Sequence, residues 1–199
     1  MATATPRTGR PREFREDDVL EAAMRLFWDR GYHATSLADL TAATGLHKGS
    51  LYGAFGDKHR LFLAALRRYG AQNLDRMDAD LAGASPLAGL RGYLRRQADQ
   101  AAGVASVRGC LMANSALELL PGDTEVAAVV SAHHRAVTDR LAGALDRARA
   151  AGELPAARTG PAQARFLFTV VEGLWELGRT TSDPEPLRDV VESALRAVT

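Results

Sequence analysis

The sequence predicts an all-α chain. Apolar residues recur at three- and four-residue intervals through almost every long segment, and clusters of Gly and Pro divide those segments into helix-sized lengths. No stretch alternates polar and apolar residues as a strand would, and no internal repeat or low-complexity tract competes. The chain of 199 residues is long enough to bury a sizeable core and to hold one or two domains.

Residues 1–12 carry two prolines, small residues and three arginines. They read as a flexible basic arm, either a solvated tail or an arm lying along nucleic acid. The first helix should begin near Glu16, Asp17 and Asp18, because acids favour the positive end of a helix dipole. Val19, Ala22, Ala23, Leu26 and Phe27 then fall on one face, while Trp28 and Tyr32 read as structural caps on a small core.

Residues 31–59 carry the most specific pattern. Ser36 stands three residues before Asp39, the spacing at which each side chain satisfies an orphan amide of a helix start. Leu37 and Leu40 give that helix a buried stripe, Gly45 ends it, and Leu46 plugs the turn. A second short helix follows from about Lys48 to Phe55, with Leu51 and Phe55 inward and Lys48, Ser50 and Tyr52 outward. One cation and two hydroxyls on an exposed first turn suit phosphate and base-edge contacts. Two helices joined so tightly are either a plain helical hairpin or a helix-turn-helix whose second helix enters the major groove. Only two of the 25 Lys plus Arg residues are lysines, Lys48 and Lys58, and both lie in this stretch. That placement favours the DNA reading, with the amide-rich helix start at Ser36 assisting on phosphate. His33, His47 and His59 surround the reader as surface or DNA-side residues.

A long helix is expected from Asp57 to about Ala82, with Phe62, Leu66, Tyr69, Asn73, Met77 and Leu81 near one face. Leu87, Leu90, Leu94, Ala98 and Ala101 mark the next, and Cys110 to Leu120 a shorter one closed by Pro121-Gly122. Asp123 caps a further helix striped by Val126, Val130, His133, Val137, Leu141 and Leu145. Residues 161–181 are apolar nearly all round and should be buried on two sides, one against a partner. After Pro184 and Pro186 a last helix repeats Leu187, Val190, Val191, Ala194, Leu195 and Val198. A two-fold homodimer built from residues about 161–198 follows, with Val171, Leu174, Leu177, Val191 and Leu195 at its interface.

Several function classes are set aside. Nucleophile-elbow, zinc-protease, phosphate-loop and Cys-x-x-Cys motifs are missing, so no enzyme and no cofactor is expected. Adjacent His133 and His134 diverge on a helix and do not chelate together, so no metal is expected either. A single cysteine excludes an intrachain disulfide and suits a reducing cytoplasm. Cys110 opens a helix, where the dipole lowers a thiol pKa, although a plain buried cysteine is the more ordinary outcome. No apolar stretch is long enough for a membrane span, and none follows the N-terminal arginines as in a signal peptide. The formal net charge of +1 argues neither for nor against nucleic acid.

The runs Thr-Ser-Leu-Ala-Asp-Leu, Gly-Leu-His-Lys-Gly-Ser-Leu-Tyr and Phe-Gly-Asp-Lys resemble the DNA-binding domain of tetracycline-repressor (TetR) family regulators over residues 12–72. The resemblance implies that Lys48, Gly49, Ser50 and Tyr52 lie on a recognition helix, and that Lys58 meets a phosphate. Gly53 and Ala54 depart from it, where relatives carry aromatic or histidine side chains that touch the DNA backbone. The expected organisation is an arm at 1–12, a three-helix DNA-binding domain at 13–72 with its reader at about 36–55, and an effector-binding and dimerisation domain at 73–199. The function expected is a repressor that binds double-stranded palindromic DNA as a homodimer and is released by a small molecule. The alternative is an architectural or interaction protein without an effector. Polar groups among apolar stripes mark an effector pocket: Asn73, Asn114, Glu118 and His133, with Tyr93, Phe168 and Trp175 as flat walls and Cys110 and Met112 on the lining helix.

Overall fold

The computed structural model describes residues 15–103, 107–155, 160–181 and 183–198, so the arm read at 1–12 lies outside the described residues. Among the described residues the chain forms α1 (Glu16–Arg30), α2 (Leu37–Thr44), α3 (Lys48–Phe55), α4 (Lys58–Leu81), α5 (Pro86–Ala102), α6 (Leu111–Leu119), α7 (Thr124–Ala150), α8 (Gly160–Leu177) and α9 (Glu185–Val198). The all-α expectation is met, and the helix ends follow the punctuation. Asp57 accepts from the Arg60 amide at 2.8 Å to start α4, and Asp123 accepts from the amides of Glu125 and Val126 to start α7. Gly45 closes α2 in the left-handed conformation at φ 69°.

Two cores form. In the first, Val19, Met24 and Phe27 of α1 pack with Leu40, Leu51 and Phe62, and the Phe27 and Phe62 rings meet edge to face at 4.9 Å. Leu111, Met112 and Leu119 of α6 and Val126 and Val130 of α7 belong to this same core. The second gathers Met77, Leu81, Leu90, Leu94, Leu141, Leu145, Leu167, Leu174, Leu187 and Val191 from α4, α5, α7, α8 and α9. Helix α4 enters both, and the expected boundary between residues 72 and 73 falls inside it.

The interface residues expected on α8 and α9 need correction. Val171, Leu174, Val191 and Leu195 are buried within the same chain, because α8 packs on α5 and α7 while α9 packs on α5. Helical spacing marks which side chains are buried but not whether the neighbour is the same chain. Of the five, Leu177 alone is open, at 49% exposure. The free face of α8 carries Ala162, Phe166, Thr169, Gly173 and Leu177, with Val170 half-buried beside them.

Candidate nucleic-acid interface

The reader is built from α2 and α3. Ser36 and Asp39 form the reciprocal cap: the Asp39 amide donates to Ser36 Oγ at 3.1 Å, and the Ser36 amide donates to Asp39 Oδ2 at 2.9 Å. These bonds from Ser36, followed by the nearby Arg30 guanidinium, hold the Asp39 carboxyl below its ordinary range. Thr35, buried and unremarked in the sequence, donates to the Gly31 carbonyl at 2.6 Å and fixes the approach to α2. Leu51 is fully buried, so one side of α3 is pinned to the first core.

The other side is open. His47, Lys48, Gly49 and Ser50 are exposed and Tyr52 is half-buried. His47 occupies the position before the helix, yet its side chain makes no cap bond. Lys48 Nζ lies 5.9 Å from the centroid of the Tyr52 ring. A Cβ added at Gly49 or Gly53 would meet nothing within 4 Å, so neither glycine is required by packing inside the chain. Lys58 begins α4 with its ammonium 4.4 Å from the Tyr32 ring centroid. His59, expected at the surface, is instead paired with Asp123 at 2.7 Å and ties the start of α4 to the start of α7.

Behind the reader, a cavity of about 330 Å³ opens between α4, α5, α7 and α8 and the start of α6. It brings together Asn73, Tyr93, Cys110, His133, Phe168 and Trp175 of the expected pocket. Three expected members lie elsewhere. Asn114 donates to the Arg108 carbonyl at 2.6 Å and accepts from Arg179 at 2.9 Å. The Glu118 carboxylate turns to the reader, accepting from the amides of Tyr32 at 2.9 Å and His33 at 2.7 Å. Gly31 permits this approach, since a Cβ there would stand 2.8 Å from Glu118 Oε2. Met112 is buried in the first core against Gly70. Tertiary partners across the chain decided these placements, and no local spacing announced them.

Trp28 is also more than a cap. Its indole donates to the Gly109 carbonyl at 2.9 Å, and its ring lines the cavity, so α1 touches both sites. Burial and, after it, the Glu172 carboxylate push the Cys110 thiol up to about 11, so the helix dipole does not activate it. Burial pushes His133 down to about 4, which keeps its imidazole neutral. Glu172 on the cavity wall escaped the sequence reading. Its signal was a carboxylate inside the apolar run Val-Val-Glu-Gly-Leu-Trp.

The tight turn at Gly45 and the open first turn of α3 define a helix-turn-helix protein. The profile described as "Bacterial regulatory proteins, tetR family" matches residues 19–65, and that described as "Tetracyclin repressor-like, C-terminal domain" matches residues 86–194. The HTH-type transcriptional repressor ComR of Escherichia coli (strain K12) is 33% identical over 94% of this chain and 90% of its own. The uncharacterised HTH-type regulator YezE of Bacillus subtilis (strain 168) is 31% identical over 94% of this chain and 97% of its own. Among solved structures, a cysteine-mutant form of the TetR family regulator CifR, complexed with 26 bp double-strand operator DNA, superposes with a TM-score of 0.84. It shares 35% identity and covers 96% of this chain and 100% of its own. The chain belongs to the tetR family of bacterial transcriptional regulators.

Proposed function

We propose that the protein is a repressor that binds a palindromic operator as a homodimer and leaves it when a small molecule fills the cavity. One observation carries the DNA contact: the first turn of α3 is exposed, and no described residue holds its Lys48 and Ser50 side chains by a hydrogen bond. Lys48, Gly49, Ser50 and Tyr52 face the groove, His47 borders it, and Lys58 and the amides that follow Ser36 take phosphates. Open space at Gly49 and Gly53 lets the DNA backbone approach closely. The relatives support this reading, since ComR is named a repressor and CifR was solved on operator DNA.

The dimer forms through the free face of α8, with Phe166, Val170, Gly173 and Leu177, together with the outer side of α9. A two-fold axis pairs this surface with its own copy and makes the operator palindromic. The cavity communicates with the reader through α6. At one end Cys110 lines the cavity beside Gly109, which holds Trp28; at the other Glu118 holds Tyr32 and His33. A ligand that favours one position of α6 shifts the readers by its differential affinity for the two states. Selection of bound sequences from random DNA tests the reading. A palindrome bound at least about a thousandfold tighter than scrambled DNA is expected, and equal affinities would leave only a non-specific architectural role.

A further inference from the structure

The polar groups around the cavity are mostly engaged with one another. Gln97 Oε1 accepts from the Trp175 indole at 3.0 Å, the Tyr69 hydroxyl lies 3.8 Å from Cys110 Sγ, and Asn73 accepts from Arg76. Arg96 pairs with Asp80, and Arg76 is exposed, so neither guanidinium is an unmet charge inside. Two groups are exceptions: the His133 imidazole, whose buried Nδ1 meets no hydrogen-bond partner among the described residues, and the single unpaired acid, Glu172. Glu172 lines the cavity from α8, one residue beyond buried Val171, and no described residue donates to it or pairs with it. Burial alone pushes its carboxyl up to about 7, with no cation or donor offsetting it. The rings of Trp28, Tyr69, Tyr93, Phe168 and Trp175 line the same cavity. Aromatic faces attract a cation most strongly where water is excluded, and a desolvated carboxylate gains most from a partner of opposite charge.

We propose that the ligand of this cavity is a compact organic cation, with its positive centre against Glu172 and its apolar body against the aromatic walls. This rests on the cavity being the effector site, and it adds the chemical class of the effector. A cavity of about 330 Å³ lies at the small end of ligand sites, which suits a body of one ring or a short branched chain rather than an extended polycyclic molecule. Other ionisable groups facing the space do not compete for the cation. The Tyr69 and Tyr93 hydroxyls and the Cys110 thiol are all raised by burial and stay protonated, His133 stays neutral, and Arg76 and Arg96 hold the partners named above. Because Glu172 must ionise to meet a fixed positive charge, binding releases a proton near neutral pH.

The test uses a matched pair, benzyltrimethylammonium and its carbon isostere neopentylbenzene, titrated into the full-length protein by calorimetry and then added to the protein on its operator. The cation should bind at least about tenfold more tightly than the isostere. Glu172→Gln should erase that preference while retaining the isostere, which shows that the variant still folds around its cavity. Between pH 8 and pH 6 the affinity of the wild-type protein for the cation should fall roughly tenfold, as a carboxyl with a pKa of about 7 takes up its proton. Affinity for the isostere should not move. Equal or stronger binding of the isostere, or a cation preference that survives Glu172→Gln, overturns the proposal. If the isostere binds better and also releases the operator, the effector reading stands and only the cation is lost. If the cation is preferred through Glu172 without operator release, the ligand class stands and the effector reading falls. Binding by neither compound overturns both.

Discussion

Helices α3 and α6 are both short, 8 and 9 residues, and both carry polar side chains, yet they use them in opposite ways. On α3, Lys48 and Ser50 are exposed and hydrogen-bonded to no described residue. On α6 the polar groups are committed: Asn114 to Arg108 and Arg179, Ser115 to the Leu111 carbonyl at 2.7 Å, and Glu118 to two amides of the reader. A polar side chain held by the chain's own backbone is a joint, whereas one left in solvent is available to a partner. The difference separates positioning from recognition on two helices of similar length.

The comparison breaks first if α3 is not anchored from below. Leu51→Ala should lower the unfolding free energy by about 2–5 kcal/mol, because a fully buried leucine leaves a cavity when truncated. Urea denaturation measures it, and a loss under about 1 kcal/mol would mean that α3 is not packed as described. Lys48→Ala, on the open side of the same helix, should leave stability within about 0.5 kcal/mol of wild type. Its operator affinity should fall by about 1–3 kcal/mol at one base pair, or evenly across sequences with a salt slope smaller by about one if the contact is to phosphate. Unchanged affinity would show that α3 does not read DNA through this turn. On α6, Glu118→Ala should cost about 1 kcal/mol and speed hydrogen exchange at the Tyr32 and His33 amides, since two donors lose their acceptor. Unaltered exchange at both amides would deny that α6 is jointed to the reader.

A separate effect is one of pH. Burial raises the Glu172 carboxyl from 4.5 to about 7, so its contribution to stability is full below 4.5 and is lost as pH rises through 7. His133, lowered from 6.5 to about 4 chiefly by burial, runs the other way: its contribution is present above 6.5 and is lost as pH falls towards 4. The two slopes oppose each other across the overlapping window. Glu172→Gln should therefore have a higher Tm relative to wild type at pH 8 than at pH 5. A difference that is constant with pH would place Glu172 in water.

What the sequence revealed follows the same division. The cap at Ser36 and Asp39, the turn at Gly45 and the inward Leu51 all depend on neighbours within a few residues, and the structure contains each of them. Glu118 and Asn114 looked like pocket residues because a polar group beside an apolar stripe does not say what it will meet. Their partners stand 86 and 65 residues away in the chain, at Tyr32 and Arg179 respectively. The buried faces of α8 and α9 posed the same difficulty, since apolar periodicity is identical whether the neighbour is α5, α7 or another copy. Glu172 was overlooked for a different reason: its significance comes from the donors that do not reach it.

Helix α4 places Leu61, Leu66 and Tyr69 in one core and Met77 and Leu81 in the other. Such a helix makes the two cores one cooperative unit, because melting either end strips contacts from a segment the other end needs. Its central amides should exchange only by global opening, at the rate set by the whole protein. A fragment ending at residue 72 would sever α4 and discard the α6 and α7 side chains that complete the first core, and so should behave as a loosely collapsed chain rather than as an isolated DNA-binding module.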